Sequence, residues 1–325
     1  MDRTLAFLKG HGTLNDFVVI PDPDNELGDL DPVTVAALCD RRAGLGADGV
    51  LRVVRTAAYD DPSAVAARHQ AEWFMDYRNA DGSVSEMCGN GIRVFGRYLL
   101  EHEQVETGVP LPVGTRAGTK ELTFGRRYGG GDGHDGGDDG ADDGADDGAD
   151  DGAVVADLIS VDMGAPRVPG ETTVSVDGRS WPAVHVSTGN PHAVVLLESL
   201  AEAGPLTEAP GHDEAVYPDG VNVEFVVRRG RRHIAMRVHE RGSGETRSCG
   251  TGACAAMVAA ALADGSGPGS SYRVDVPGGR LEVAWTEHGR LVLTGPAVLV
   301  ASGTVRLDAL RCASPARNRV DRVPH

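Results

Sequence analysis

One short run occurs twice in the chain and limits its possible folds more than any other feature. Gly82-Ser83-x-Ser85-x-x-Cys88-Gly89-Asn90-Gly91 resembles Ser243-Gly244-x-Thr246-x-x-Cys249-Gly250-Thr251-Gly252, 161 residues further on. Two weaker pairs accompany it. Asn15-Asp16-Phe17-Val18-Val19 is echoed by Asn190-Pro191-His192-Ala193-Val194 at an offset of 175, and Ala47-Asp48-Gly49-Val50 by Pro218-Asp219-Gly220-Val221 at 171. The pairs keep their order and fall once in each half, which predicts a duplicated fold with two similar lobes. A length of 325 residues also exceeds one compact core of typical size.

Local patterning makes both lobes α/β. Alternating apolar residues predict strands at 5–8, 17–20, 49–54 and 73–77, with Trp73, Met75 and Tyr77 on one face. Asp31-Pro32 reads as an N-cap and first helical residue for a helix through Leu38. A second helix is expected over 92–100, with Ile92, Phe95 and Leu99 on one stripe. Strands at 121–124 and 154–161 flank a low-complexity insert. The second half repeats the texture, with strands at 181–186, 193–197, 221–227 and 233–238, an apolar helix over 253–262, and strands at 273–276, 281–285 and 291–293. The expected division is an N-terminal lobe over 1–164, completed by a strand at 297–308, a C-terminal lobe over 165–296, and a frayed tail over 309–325.

The insert, residues 129–152, holds ten aspartates and no lysine or arginine. It offers no apolar surface to offset the entropy of ordering, so it is expected to be a disordered loop expansion. A calcium-binding glycine/aspartate repeat fits poorly, because the period here is four and the apolar position of such repeats is missing. Without these aspartates the formal charge falls from −17 to −7. No basic stripe remains to neutralise phosphates, which argues against nucleic acid as a partner. No apolar run is long enough to cross a bilayer, and Lys9 and His11 interrupt the N-terminus before a secretory signal develops. Five widely spaced cysteines (Cys39, Cys88, Cys249, Cys254, Cys312) fit a reducing cytoplasm better than a disulfide framework.

The chemistry is concentrated at the repeated motif. Each Cys-Gly-x-Gly turn leads into a helix whose start carries unpaired N–H groups and the positive dipole end. Flanking glycines let a carboxylate reach those N–H groups, and the same field is expected to lower the pKa of Cys88 and Cys249. Two such motifs in related lobes put a thiol on each side of one cleft. Inversion at a carbon α to a carboxylate needs that arrangement, with a base on one face and an acid on the other. The helix starts would stabilise the developing carbanion. Pyridoxal phosphate would need a Schiff-base lysine, and the only lysines, Lys9 and Lys120, have no adjacent phosphate cradle. The expected mechanism therefore uses no cofactor and no metal. Cys254, expected inside the helix, makes a zinc site with Cys249 and His239 improbable; Cys39, Cys254 and Cys312 read as small buried residues.

The stretches HGTLNDFVVI, GLGADGVL, NADGSVSEMCGNGIRVFGRYL, STGNPHAV, GVNVEF and VHERGSGETRSCGTGACAA resemble diaminopimelate epimerase, in that family's order, from about residue 9 to residue 263. The resemblance implies a fold of two pseudo-symmetric lobes, each a mixed sheet or barrel wrapped around a central helix. It implies cofactor-independent conversion of LL- to meso-diaminopimelate, in lysine and peptidoglycan synthesis. It also implies that Cys88 and Cys249 are the acid/base pair, with His192 assisting Cys88 and Glu240 assisting Cys249. Gly89, Asn90, Gly250 and Thr251 would then hold the reacting carboxylate, and Asn15, Asn79, Asn190, Asn222, Glu240 and Arg241 would hold the rest of the substrate. The partner implied is that small molecule, with neither nucleic acid nor membrane, and a homodimer is compatible with it.

Two departures from the family pattern stand out. His11-Gly12-Thr13-Leu14-Asn15 replaces the usual Gly-Leu-Gly-Asn, so the backbone before Asn15 is expected to differ. Gly49 stands where many members place a glutamine that contacts substrate. Proline racemase and hydroxyproline epimerase share the two-cysteine logic but have less use for Arg241 and four amides at a distal end. A non-catalytic binding or scaffold protein that uses the acidic insert is the alternative from another class.

Overall fold

The structure, a computed structural model, describes residues 4–126 and 158–312. The acidic insert and residues 313–325 lie outside the described residues. The first half runs β1 (Thr4–Gly12), β2 (Asn15–Pro21), α1 (Pro32–Cys39), β3 (Gly49–Arg55), α2 (Pro62–Ala67), β4 (Trp73–Asn79), α3 (Gly89–His102), β5 (Leu111–Thr115), β6 (Gly118–Arg126) and β7 (Leu158–Gly164). The second runs β8 (Arg167–Val176), β9 (Arg179–Ser187), β10 (Pro191–Leu196), β11 (Gly211–His212), β12 (Asn222–Gly230), β13 (His233–Glu240), β14 (Gly244–Thr246), α4 (Gly250–Ala263), β15 (Ser270–Val276), β16 (Gly279–Trp285), β17 (Leu291–Gly295), β18 (Val298–Arg306) and α5 (Leu307–Cys312).

Strand pairing makes the duplication explicit. In the first half β1 pairs antiparallel with β18 and β2, β2 parallel with β3, β3 antiparallel with β4, β4 parallel with β5, and β5–β6–β7 run antiparallel. The second half repeats the pattern strand for strand, with β9 on β8 and β10, then β12, β13, β15, β16 and β17. An antiparallel contact between β17 and β7 joins the two runs into one mixed sheet. α3 packs against β1, β2, β3, β4, β7 and β18, and α4 against β9, β10, β12, β13, β15, β16 and β17. Each curled sheet thus buries one helix, the expected α/β two-lobe architecture.

Sequence explains both central helices. Every residue of α3 from Gly89 to Leu99 is buried, including the Ile92–Phe95–Leu99 stripe. α4 is apolar all round and buried along most of its length, as a helix enclosed by a sheet must be. Trp73, Met75 and Tyr77 join the same core from β4. Both helices begin three residues earlier than expected, at Gly89 and Gly250, because the cysteine itself is the N-cap. Residues 309–312, expected to be frayed, instead belong to α5, and Leu310 is buried in the cluster that includes Val35 and Leu38 of α1. The polar character of the tail had hidden one apolar anchor.

Candidate active site

Both motif cysteines have extended backbone and accept a hydrogen bond from the helix they start. Gly91 N–H donates to Cys88 Sγ (3.3 Å) and Gly252 N–H to Cys249 Sγ (3.4 Å). The two helix starts meet head to head. A Cβ built on Gly250 would stand 3.0 Å from Gly89 Cα, and one on Gly89 would stand 3.3 Å from Gly250 Cα. A side chain at either position would crowd the facing backbone, so glycine suits that approach. A cleft of about 1180 Å³ opens over the junction.

Cys88, Cys249, Asn15, Asn79, Gly89, Asn90, Asn190, Asn222, Glu240, Arg241, Gly250 and Thr251 all line this cleft. His192 does not. It is wholly buried on β10, where Nδ1 meets Glu224 Oε1 (2.7 Å) and Nε2 meets Asn190 Oδ1 (2.9 Å).

The surroundings of the two thiols differ. Cys88 is half-buried and donates to the Asn15 side-chain oxygen at 3.6 Å. Cys249 is buried, has Glu240 as an electrostatic neighbour and lies 3.4 Å from Thr251 Oγ1. Thr246 Oγ1 donates to Glu240, which stands at the end of β13. Burial pushes the Cys88 thiol up to about 11; the Gly91 N–H opposes this and the Glu240 charge adds to it. Cys249 is driven well above the ordinary thiol range, first by burial and then by the charges of Glu240 and Glu224. The expectation that the helix starts lower both pKa values is therefore corrected: desolvation outweighs the N–H groups, and both cysteines are neutral thiols at pH 7. Burial also raises the pKa of Glu240.

The altered run before Asn15 forms a two-residue hairpin turn, with Gly12 opposite Asn15. Thr13 (φ 49°) and Leu14 (φ 61°) are both left-handed, an unfavourable conformation for a β-branched residue. Contacts to the other half hold the turn. Thr13 Oγ1 lies 2.6 Å from Ser248 Oγ, and Asn90 Nδ2 donates to the Ser248 carbonyl (3.0 Å). Asn15 itself donates to Asp48 (2.7 Å). Beside Gly49, the Tyr77 ring fills the space: its Cε2 lies 2.7 Å from where a Cβ would be. Tyr77 lines the cleft next to Asn79, and burial together with Cys88, Glu240 and Asp48 keeps its phenol protonated. At the far end, Arg241 N–H donates to Asn222 Oδ1 (2.9 Å) and its guanidinium to the Asp219 carbonyl (3.1 Å).

Three residues near the site are not assigned to it by the sequence: Tyr77, Thr13 and Glu224. Tyr77 had a signal, since the β4 face that carries Trp73 and Met75 continues through it to Asn79. Glu224 had another, a carboxylate inside the apolar run Asn222-Val223-Glu224-Phe225-Val226. Thr13 had none, because its role depends on contacts across 235 residues.

Comparison with known proteins matches the chain to a family by sequence and to a fold by structure. A family model described as diaminopimelate epimerase matches residues 7–127 and 184–300. The diaminopimelate epimerase of Streptomyces coelicolor is 53% identical over 310 residues, covering 93% of this chain and 96% of that protein. That of Thermobifida fusca is 46% identical, covering 94% and 100%. Among solved structures, a hydroxyproline epimerase from Agrobacterium vitis superposes with a TM-score of 0.62 over 95% of this chain and 94% of its own, at 17% identity. At that identity the likeness is one of fold.

Proposed function

The chain belongs to the diaminopimelate epimerase family, and we propose that Cys88 and Cys249 perform its reaction from opposite faces of one stereocentre. It is an isomerase of amino acids, and its reaction is the interconversion of LL- and meso-diaminopimelate. The observation that carries the residue assignment is the abutment of the two cysteine-capped helix starts beneath a single cleft. A carboxylate over that junction meets N–H groups from both helices. Those dipoles are already aimed where charge builds as the α-proton leaves.

In this reading one thiol must become the base. Cys249 has a proton acceptor beside it, Glu240, whose own pKa is raised by burial and therefore closer to that of the thiol. Cys88 donates to an amide oxygen, which cannot take a proton at neutral pH. The proposed sequence moves the Cys249 proton to Glu240, the substrate α-proton to Cys249, and the Cys88 proton to the opposite face of the carbanion. The reverse direction retraces the steps. Asn15, Asn79, Asn190, Asn222 and Arg241 hold the remote amino-acid end, where Arg offers a bidentate carboxylate clamp and Asn both donates and accepts.

Incubation with LL-diaminopimelate or with proline in deuterated water tests the reading. Deuterium is expected at the α-carbon of diaminopimelate and not of proline; label in proline alone would overturn the substrate assignment. Cys39, Cys88, Cys249 and Cys254 are free thiols, which supports placement in the reducing cytoplasm. No helix among the described residues is long and apolar enough to cross a membrane.

A further inference from the structure

Glu224 lies on β12, between the apolar residues of the strand, and is completely buried. The mechanism above does not use it. Its Oε1 is taken by His192 Nδ1, and its Oε2 has no hydrogen-bond partner among the described residues. The carboxylate presses on the first turn of α4: a Cβ on Gly252 would stand 2.6 Å from Oε1. An ionisable side chain so placed, in a strand that could have been wholly apolar, calls for a reason beyond packing.

The polarity of the hydrogen bonds supplies one. His192 Nε2 faces the Asn190 side-chain oxygen, an acceptor only, so Nε2 must carry a proton. Nδ1 faces a carboxylate oxygen, so a second proton lies between that pair. Glu224 and His192 together hold two protons and are neutral as a unit, which suits full burial. The imidazole is then fixed as a donor toward Asn190. Since the oxygen of Asn190 is turned to the buried ring, its NH₂ group is turned away from it, and Asn190 is the member of this chain that lines the cleft. The Thr188 hydroxyl, which donates to the Thr251 carbonyl (3.4 Å), ties the same loop to α4.

We propose that Glu224 is a positioning residue: through His192 it holds Asn190 with its amide N–H groups toward the cleft, as donors to a substrate carboxylate. This rests on the cleft being the substrate site, as proposed above. The arrangement orients a histidine with a buried carboxylate, as catalytic triads do, but directs it at a binding amide.

Nitrogen-15 NMR of the full chain without substrate tests the polarity independently of catalysis. A proton bound to His192 Nε2 is expected, and an unprotonated Nε2 would overturn the proposal. Kinetics test the consequence. Glu224→Leu removes the partner of Nδ1 and is expected to raise KM for LL-diaminopimelate about tenfold while kcat changes far less. Glu224→Gln can donate its amide N–H to Nδ1, keep Nε2 protonated and restore KM. A fall in kcat at constant KM, or a Gln variant as impaired as the Leu variant, would count against a positioning role. If Glu224→Leu fails to fold, the NMR result and the Gln variant decide. Absence of turnover by the unaltered enzyme would instead sink the substrate reading and leave the NMR result standing.

Discussion

The two halves build the same device and then surround it differently. In each, an extended cysteine caps a helix enclosed by a sheet of one strand order, and a glycine places the helix start against its twin. Yet α4 is apolar after Thr251 in its first turn, whereas α3 buries Arg93 and Arg97 along its length. Arg93 donates to the Gly89 carbonyl (2.9 Å) and to Asn90 (2.8 Å), at the start of its own helix. Cys249 is the deeper thiol and has a carboxylate beside it, while Cys88 is shallower and has an amide. Duplication thus supplied the symmetric part of the chemistry, the oxyanion site, and divergence supplied the asymmetric part, the proton acceptor. Epimerisation needs both, because the faces of the carbanion are alike but the protein must hold one proton more on one side than on the other.

The comparison can be broken most severely at the sulfurs. Cys88→Ala and Cys249→Ala are each expected to lower epimerisation by about 10²–10⁴-fold or more, measured as the conversion of LL- to meso-diaminopimelate. A variant that kept a tenth of the activity would show that one face needs no thiol. Next in size, Glu240→Gln should reduce kcat about 100-fold, whereas Asn15→Ala, on the Cys88 side, should lower kcat only about tenfold, since hydrogen bonds to Cys88 and to substrate are lost but no proton acceptor is. Equal losses would mean that the two thiols rely on their partners alike.

Alkylation sharpens the same contrast without catalysis. Because the thiolate is the reactive form, the labelling rate of Cys88 should climb about tenfold per pH unit and level off only near pH 11. Cys249 should lag behind it at every pH, and Glu240→Gln, by removing a negative neighbour, should shift the Cys249 profile to lower pH. Mass spectrometry of the two peptides reads both; faster labelling of Cys249 would contradict the difference in burial and charge. Gly89→Ala and Gly250→Ala should each destabilise the fold by roughly 1–3 kcal/mol through overpacking, seen as a lower thermal midpoint. The smallest effect is expected from removing residues 129–152. Their flanking strands β6 and β7 are antiparallel neighbours with Leu122 opposite Val161, and their counterparts β16 and β17 are joined by residues 286–290 alone. Turnover within twofold of the full chain would agree, and a large loss would give the insert a role.

Much of this was legible in the chain itself. The repeated motif carried the two-lobe fold, the cleft and the positions of both thiols, because it is local and occurs twice. Asp31-Pro32 fixed the start of α1 for the same reason, with Asp31 accepting from Val33 N–H (3.2 Å). Electrostatics was less legible: a helix start can be read from sequence, but the depth of burial that overrides it at Cys88 and Cys249 is set by the whole sheet. Strands β5 and β8 were unread, since Leu111–Thr115 contains proline and glycine and β8 is largely exposed. Contacts made across halves, such as Thr13 with Ser248, leave no trace in either segment alone.

The wall between the half-sites is one backbone thick where Gly89 meets Gly250. A single methyl group there would act as a wedge, tilting both helices at once and moving each sulfur relative to the carbon between them. Damage at this seam is shared rather than local, so a change in one copy of the motif is felt by both.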